Sequence, residues 1–258
     1  MERIVNRLIA FAVASAFVLG FLAPAPASAQ QTALSDEQVK ERLAFIQTAL
    51  NAGQPRAKTW YYGWLGGYAG AGLAMGMVGA SQWNDTTPEG EEAVNSRKNA
   101  QDMVIGSATF LLGAAALLYD PFTPALVPDE LRAAPETTAE ERRVKLERAE
   151  KALRDCARRE KSGRSLTTHL LNLGANLAAG VVTSAAFHRP WTDGATTFAI
   201  GEAVSLLNIF SQPMRATSDL KVYEAKYLGA HDGAMPPPPE RRWTLTAGPG
   251  GFTFRYEF

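Results

Sequence analysis

The chain has 258 residues, enough for one large domain or two small ones with a real core. Lys plus Arg is 26 and Asp plus Glu is 26, so the formal charge is zero, which argues against a nucleic-acid binder with its usual basic excess. A single cysteine, Cys156, excludes an intramolecular disulfide.

Residues 1–29 read as an export signal. Arg3 and Arg7 precede an apolar run from Leu8 to Leu22, Pro24 and Pro26 end it, and Ala27-Ser28-Ala29 offers small residues for cleavage before Gln30. Residues 30–58 follow as a short amphipathic helix. Ser35 and Gln38 suit a capping box, Val39, Leu43, Ile46 and Leu50 repeat at helical spacing, and Gly53 and Pro55 are expected to stop it.

From Thr59 to Asn84 there is no charge, and another charge-free run covers Met103 to Tyr119. Together, residues 59–119 read as a first apolar helical hairpin, with Asp85 to Lys98 as its polar loop. Residues 120–164 read as a Pro-rich linker (Pro121, Pro124, Pro128, Pro135) and then a charged connecting helix over Glu136 to Ser162. Leu146, Ala149, Leu153 and Cys156 form its apolar stripe, with Gly163 as its stop. The thiol is expected to be a small buried group; an intermolecular disulfide or a reactive thiol is the other reading. Residues 165–213 read as a second apolar hairpin, turning at Arg189 to Asp193 and interrupted only by Glu202. These apolar runs approach the roughly 17–25 residues of a bilayer-spanning helix.

Residues 214–258 close the chain. Leu220 to Leu228 fits helix or strand, Pro236 to Pro239 is a stiff linker, and Arg242 onward reads as a β-hairpin turning at Gly248 to Gly251. Phe252, Phe254, Tyr256 and Phe258 alternate to the C-terminus. This ending resembles the terminal strand of bacterial outer-membrane β-barrels, which implies an envelope-facing strand or, taken further, a barrel.

Glycine spacing is the strongest pattern. Gly63 and Gly67, Gly66 and Gly70, and Gly72 and Gly76 stand four apart, each pair on one helix face; Gly174 and Ala178 repeat the idea in the second hairpin. In water each glycine penalises a helix by nearly 1 kcal/mol against Ala, roughly. A bilayer removes the solvated alternative. The aromatics from Trp60 to Tyr68 suit an interfacial belt or a core. Glu202 lies inside an apolar run and is expected to be paired or to face a polar cavity, with Arg164, His169 or His188 as candidate partners; it suits a proton- or ion-linked site or a structural hydrogen bond.

No catalytic, cofactor or metal constellation stands out. His169 and His188 lie too far apart to share a metal, and no P-loop, dinucleotide fingerprint or nucleophile elbow is present. The sequence is therefore read as mainly α, with two Gly/Ala-rich helical hairpins, a charged connecting helix and a small C-terminal β-hairpin. The expected role is an exported, membrane-associated envelope protein of structural, assembly or pore type. It is expected to be non-enzymatic, with enzymatic activity left open, and to be partnered by lipid and by itself or other envelope proteins. An outer-membrane barrel and a soluble periplasmic helical binding protein or enzyme, with Glu202 and His169 in a pocket, are the alternatives. A cleaved signal places the charged segments outside the inner membrane, against the positive-inside rule; short dipping hairpins or an outer-membrane assembly would evade it.

Overall fold

The computed structural model describes residues 34–229 and the backbone of two strands, Arg242–Gly248 and Gly251–Glu257. The export signal, the polyproline linker, Phe258 and the side chains of Phe252, Phe254 and Tyr256 lie outside the described residues. The protein is mainly helical. The strands run antiparallel with Gly248 opposite Gly251 and Trp243 opposite Tyr256.

Helix α1 spans Asp36–Asn84 without a break. The expected stop at Gly53 and Pro55 is therefore overturned. Pro55 removes an N–H from the ladder, at a cost of about 3 kcal/mol. Tertiary packing offsets it, since Leu50, Gln54, Ala57, Trp60 and Tyr61 are all buried around this point. Gly53 is a packing residue, because a Cβ there would stand 3.2 Å from Arg215 Cδ. Helix α2 spans Gly90–Tyr119, so the connecting loop is shorter than the sequence suggested. Glu91 and Glu92 favour the positive end of a helix dipole and let α2 begin well before its apolar half.

The Pro-rich linker contains a helix, α3, over Thr123–Ala133. Pro124 sits in its first turn, where no N–H is needed, and the buried Pro128 packs against neighbours. Helix α4 spans Ala139–Gly163 and opens on a capping box between Thr138 and Glu141. Its stripe is as expected: Leu146, Ala149, Leu153 and Cys156 are buried. Helix α5 covers Leu166–Val181 and continues as a π-turn, Val182–Ala186. His188 then takes a positive φ of 54°, and α6 runs from Trp191 to Ser211. Helix α7, Arg215–Tyr223, ends in a second π-turn, Glu224–Leu228, so the ambiguous Leu220–Leu228 segment is helical.

Two regions result. The head joins the first half of α1 to α3, α4 and α7. Val39, Leu43, Ile46, Leu131, Leu146, Leu153 and Tyr223 fill its interior, each large side chain contributing about 1.5–3 kcal/mol by leaving water. Arg142 grips Asp36 with two hydrogen bonds of 2.9 and 2.8 Å, and Lys145 donates to the Ala134 carbonyl at 2.7 Å, tying helix ends together. The second region is α1 after Thr59 with α2, and α5 with α6, each pair antiparallel.

The joints between these regions are polar and specific. Trp60 packs a tilted ring against Phe122 at 4.8 Å and donates to Ser211 Oγ at 3.1 Å, as Trp64 does at 3.0 Å. Arg164 donates to the Gln212 and Phe210 carbonyls, closing the C-terminal end of α6. Gly163 leaves room for Gln212, whose Nε2 donates to the Glu160 carbonyl at 2.8 Å. At the far end of the hairpins, Arg189 holds Asp102 at 2.5 Å and Asp193 at 2.9 Å, and Trp83 meets Phe187.

Candidate functional site

The glycine face on α1 divides in two. A Cβ on Gly72 would lie 2.8 Å from Leu111 Cγ, one on Gly76 2.9 Å from Ser107 Oγ, and one on Gly79 3.1 Å from Met103 Cβ. These three let α2 approach α1 closely. Gly63, Gly66, Gly67 and Gly70 are different: a Cβ on any of them meets nothing within 4 Å. Among the described residues no helix covers them. They continue into exposed Leu73 and Met77, the latter 69 % accessible. The result is a charge-free face along α1 that starts at half-exposed Tyr62.

The second hairpin departs from the expected face. Gly174 has nothing within 4 Å, and Gly174 and Ala178 are both exposed. The packing face is Asn176, Gly180, Thr183 and Ser184 against Gly194, Thr197, Gly201 and Ser205. A Cβ on Gly180 would stand 2.5 Å from the Gly194 carbonyl oxygen, so both glycines are needed where the backbones cross. Asn176 Nδ2 donates to Glu202 Oε2 and Ser205 Oγ, both at 3.0 Å, and Thr183 Oγ1 bonds Ala179 O at 3.1 Å. Ser184 Oγ donates to the Pro190 carbonyl at 3.2 Å, pinning the turn. The sequence carried this signal as small or polar residues four apart on both helices, one helix face away from the pair singled out.

Asn176, Thr183 and Ser184 are buried, while Leu166, Leu170, Leu171, Leu177, Ile200 and Leu207 are exposed, Leu171 by 70 %. Apart from Val144 and Leu228, every exposed large apolar side chain among the described residues lies on the two hairpins. The hairpin exteriors are thus apolar over two helix pairs, far beyond the single exposed leucines of an ordinary surface. By length and composition, one stretch among the described residues, Gly90–Ala133 containing α2, is apolar enough to cross a membrane, and 22 % of its apolar window is buried. Gly, Thr, Ser and Glu202 dilute the leucines of the other hairpin helices. Tyr62 and Trp83 bracket the charge-free second half of α1 about 32 Å apart at about 1.5 Å per residue, near the ~30 Å hydrocarbon thickness of a bilayer.

The expected partners of Glu202 are not its partners. Arg164 caps α6, His169 packs its ring on Phe210 at 6.0 Å, and His188 is exposed in the turn before α6. The partner of the Glu202 carboxylate is Asn176, which donates to it at 3.0 Å. The aromatics at the start of the first apolar run split, with Trp60 and Tyr61 buried at the joint to the head and Tyr62 half-exposed. Cys156 is buried, and burial pushes its thiol up to about 12, against the reactive-thiol reading.

Sequence reasoning missed the buried Glu160. Its carboxylate accepts from Ala216 N at 3.0 Å, Thr217 N at 2.7 Å and Thr217 Oγ1 at 2.9 Å, so α4 caps the N-terminus of α7. Nothing near it in sequence marks this role, because the partner lies on another helix. Beside it, Ala49, Gly53, Pro124, Pro213 and Asp219 help to line a cavity of about 10 Å³, room for one water. Among the described residues no group of His, Cys, Asp and Glu is placed to hold a metal ion. Compared with known protein families, curated proteins and solved structures, the chain matches none.

Proposed function

We propose that this is an exported envelope protein whose two hairpins sit in lipid and whose charged head stays in water. On this reading it is a non-enzymatic structural, assembly or pore component. Its open glycine face, Gly63, Gly66, Gly67 and Gly70, packs against a second copy. The observation that carries the reading is the inverted second hairpin, with amide, hydroxyl and glycine inside and leucine outside. Water would give that hairpin little apolar burial to hold it together. Lipid leaves close packing and interhelical hydrogen bonds to do so. The C-terminal strand pair is read as an envelope-facing appendage of the helical body. A barrel needs at least about eight strands, and the residues described between 36 and 228 are overwhelmingly helical.

The test has two parts. Membranes from cells expressing the full chain are washed with carbonate, and Gly67→Leu with Gly70→Leu is compared with the parent by size in detergent. The added side chains meet nothing among the described residues, so the fold of each copy should survive. Retention in washed membranes, with parent oligomers that the double substitution dissolves, is expected. Release by carbonate contradicts the lipid reading; retention with unchanged size contradicts self-association through this face.

A further inference from the structure

The head meets the hairpins at a level where charge gives way to apolar surface, and most cations there are paired. Lys58 meets Asp129 at 2.7 Å, Arg159 meets Asp120 at 3.0 Å and Arg215 meets Asp219 at 3.2 Å. Arg56 and Arg164 differ. Arg56 is exposed and makes no ion pair with any described residue. Arg164 Nη2 donates to the Phe210 and Gln212 carbonyls at 3.0 and 2.6 Å, and its buried Nε has no hydrogen-bond partner among the described residues. Glu160, one turn earlier, is already committed to Ala216 and Thr217. Packing brings the two arginines to one place. Gly53, Arg56 and Trp60 share a face of α1, being three and four residues apart. On that face a Cβ at Gly53 would stand 3.2 Å from Arg215 Cδ, and Trp60 Nε1 donates to the Asn208 carbonyl at 3.3 Å. Arg56 therefore stands between these contacts, opposite the link from α6 to α7 whose Gln212 carbonyl Arg164 holds. Burial lowers Arg164 from its ordinary value, Glu160 raises it and the Arg56 cation lowers it. Arginine nonetheless stays charged in proteins, so two cations share this place without a carboxylate of their own.

We propose that Arg56 and Arg164 hold the phosphate of an anionic phospholipid whose acyl chains lie along the second hairpin. The inference rests on the lipid reading above. A guanidinium offers planar, paired donors that match phosphate oxygens. The residues that follow Arg164 on α5 and precede Gln212 on α6 supply the apolar part: Leu166, Leu170, Leu207 and Phe210 are all exposed. A phosphate at the joint thus has apolar surface beside it, which suits a lipid rather than a soluble anion. A zwitterionic lipid brings its own ammonium to its phosphate, so unpaired arginines favour a headgroup with net negative charge. The far end of the hairpins is built differently. Arg189 is held by Asp102 and Asp193, Arg97 lies over the Trp83 ring at 5.1 Å, and the connecting segment carries Asp85, Glu91 and Glu92. Exposed positive charge by itself is not enough. Arg143 and Arg148 are also exposed, but they lie far up α4 from the hairpins, Arg148 about 24 Å from Arg164 along the axis at about 1.5 Å per residue.

The test counts lipids bound to the full chain, purified in dodecyl maltoside, by native mass spectrometry as phosphatidylglycerol or phosphatidylcholine is titrated in. Phosphatidylglycerol should bind at least about fivefold more tightly, the effect of about one arginine at a membrane surface. Arg56→Gln should remove most of that preference. Arg56 holds no partner in the fold, so the substituted chain should keep its helix content, which circular dichroism checks. Arg164→Gln should act in the same direction but also loses the cap on α6, so Arg56→Gln decides the matter. Arg143→Gln with Arg148→Gln removes more charge and should leave the preference intact. Three results overturn the proposal: equal binding of the two lipids, a preference that survives Arg56→Gln, or the same loss in the Arg143 and Arg148 double substitution. Displacement of phosphatidylglycerol by inorganic phosphate in millimolar excess also overturns it, by making this a site for free phosphate. Release of the chain by carbonate overturns the lipid reading and this inference together. Retention in washed membranes without a headgroup preference overturns this inference alone.

Discussion

In the head, Leu43, Ile46, Leu146 and Leu153 point inward and Arg, Lys and Glu cover the outside. In the second hairpin, Asn176, Thr183 and Ser184 point inward and Leu166, Leu170, Leu171 and Leu177 cover the outside. Both regions are helical and belong to one chain, so helix propensity does not separate them. The difference lies in what each interior can gain from its surroundings. The head gains by removing apolar surface from water. The hairpin buries little such surface, and its contacts at Gly180, Gly194 and Asn176 gain most where the surroundings do not compete for hydrogen bonds.

Substitutions that exchange the two regions' rules give the sharpest test. Leu170→Lys, Leu171→Lys and Leu177→Lys together should release the protein from membranes, since each lysine near a bilayer centre costs about 2.5–3.5 kcal/mol on insertion scales. On a water-exposed helix the same three changes would leave stability within about 0.5 kcal/mol each. Fractionation after carbonate washing reads the outcome. In the head, Leu153→Ala should cost about 2–5 kcal/mol, because the side chain is fully buried in close packing. Urea unfolding followed by circular dichroism measures it, and a loss below 1 kcal/mol, roughly, would mean the head lacks a tight core.

Glu160→Ala should be smaller, about 1–3 kcal/mol, by stripping the acceptors from the first turn of α7. Burial raises this carboxyl while its three donors pull it down. Thermal unfolding of the substituted chain, compared with Leu153→Ala, ranks the two. Acid should act more mildly. Lys40 at Asp36, Lys58 at Asp129, Lys145 at Glu136 and Lys151 at Asp155 hold those carboxyls below their ordinary values. A lowered carboxyl stabilises the fold above its unfolded value, and that stabilisation fades as pH falls through the folded one. The head's melting temperature should therefore hold from neutral pH down to about 5 and decline below about 4, by a small amount because these pairs are largely exposed. Smallest of all, Cys156 should resist iodoacetamide at neutral pH in the folded chain and react once the chain is unfolded; prompt labelling of the folded protein would contradict its burial.

How much of this was legible depended on where each signal lay. The charged helix could be read because its stripe and its Gly163 stop are local. The hairpins could be read because charge disappears over whole helix lengths. The passage of α1 through Gly53 and Pro55 could not, since it depends on Arg215 and the buried aromatics of distant segments. Helix α3 was hidden by prolines whose positions, the first turn and a buried face, are tolerated only in context. On α1 the glycine pattern was visible, but its division into covered Gly72 and Gly76 and open Gly63, Gly66, Gly67 and Gly70 depends on which face of α1 the second helix takes, since α2 runs along Gly76, Gly72, Tyr68 and Tyr61. On α5 the small residues offered two neighbouring faces, and only the partner helix, through Gly194 and Gly201, selects the one with Asn176 and Gly180.

The measurement that bears most directly on the central claim is the environment of the hairpin exterior. Single spin labels at Leu171, Leu177 and Ile200, and at Glu147 on the head, are placed in a Cys156→Ala chain reconstituted in vesicles. Their collision rates with oxygen and with a water-soluble nickel chelate are then compared. The account predicts that oxygen dominates at the three hairpin positions, most strongly toward the middle of the helices, while the chelate dominates at Glu147. Equal access of the chelate to all four positions would contradict it.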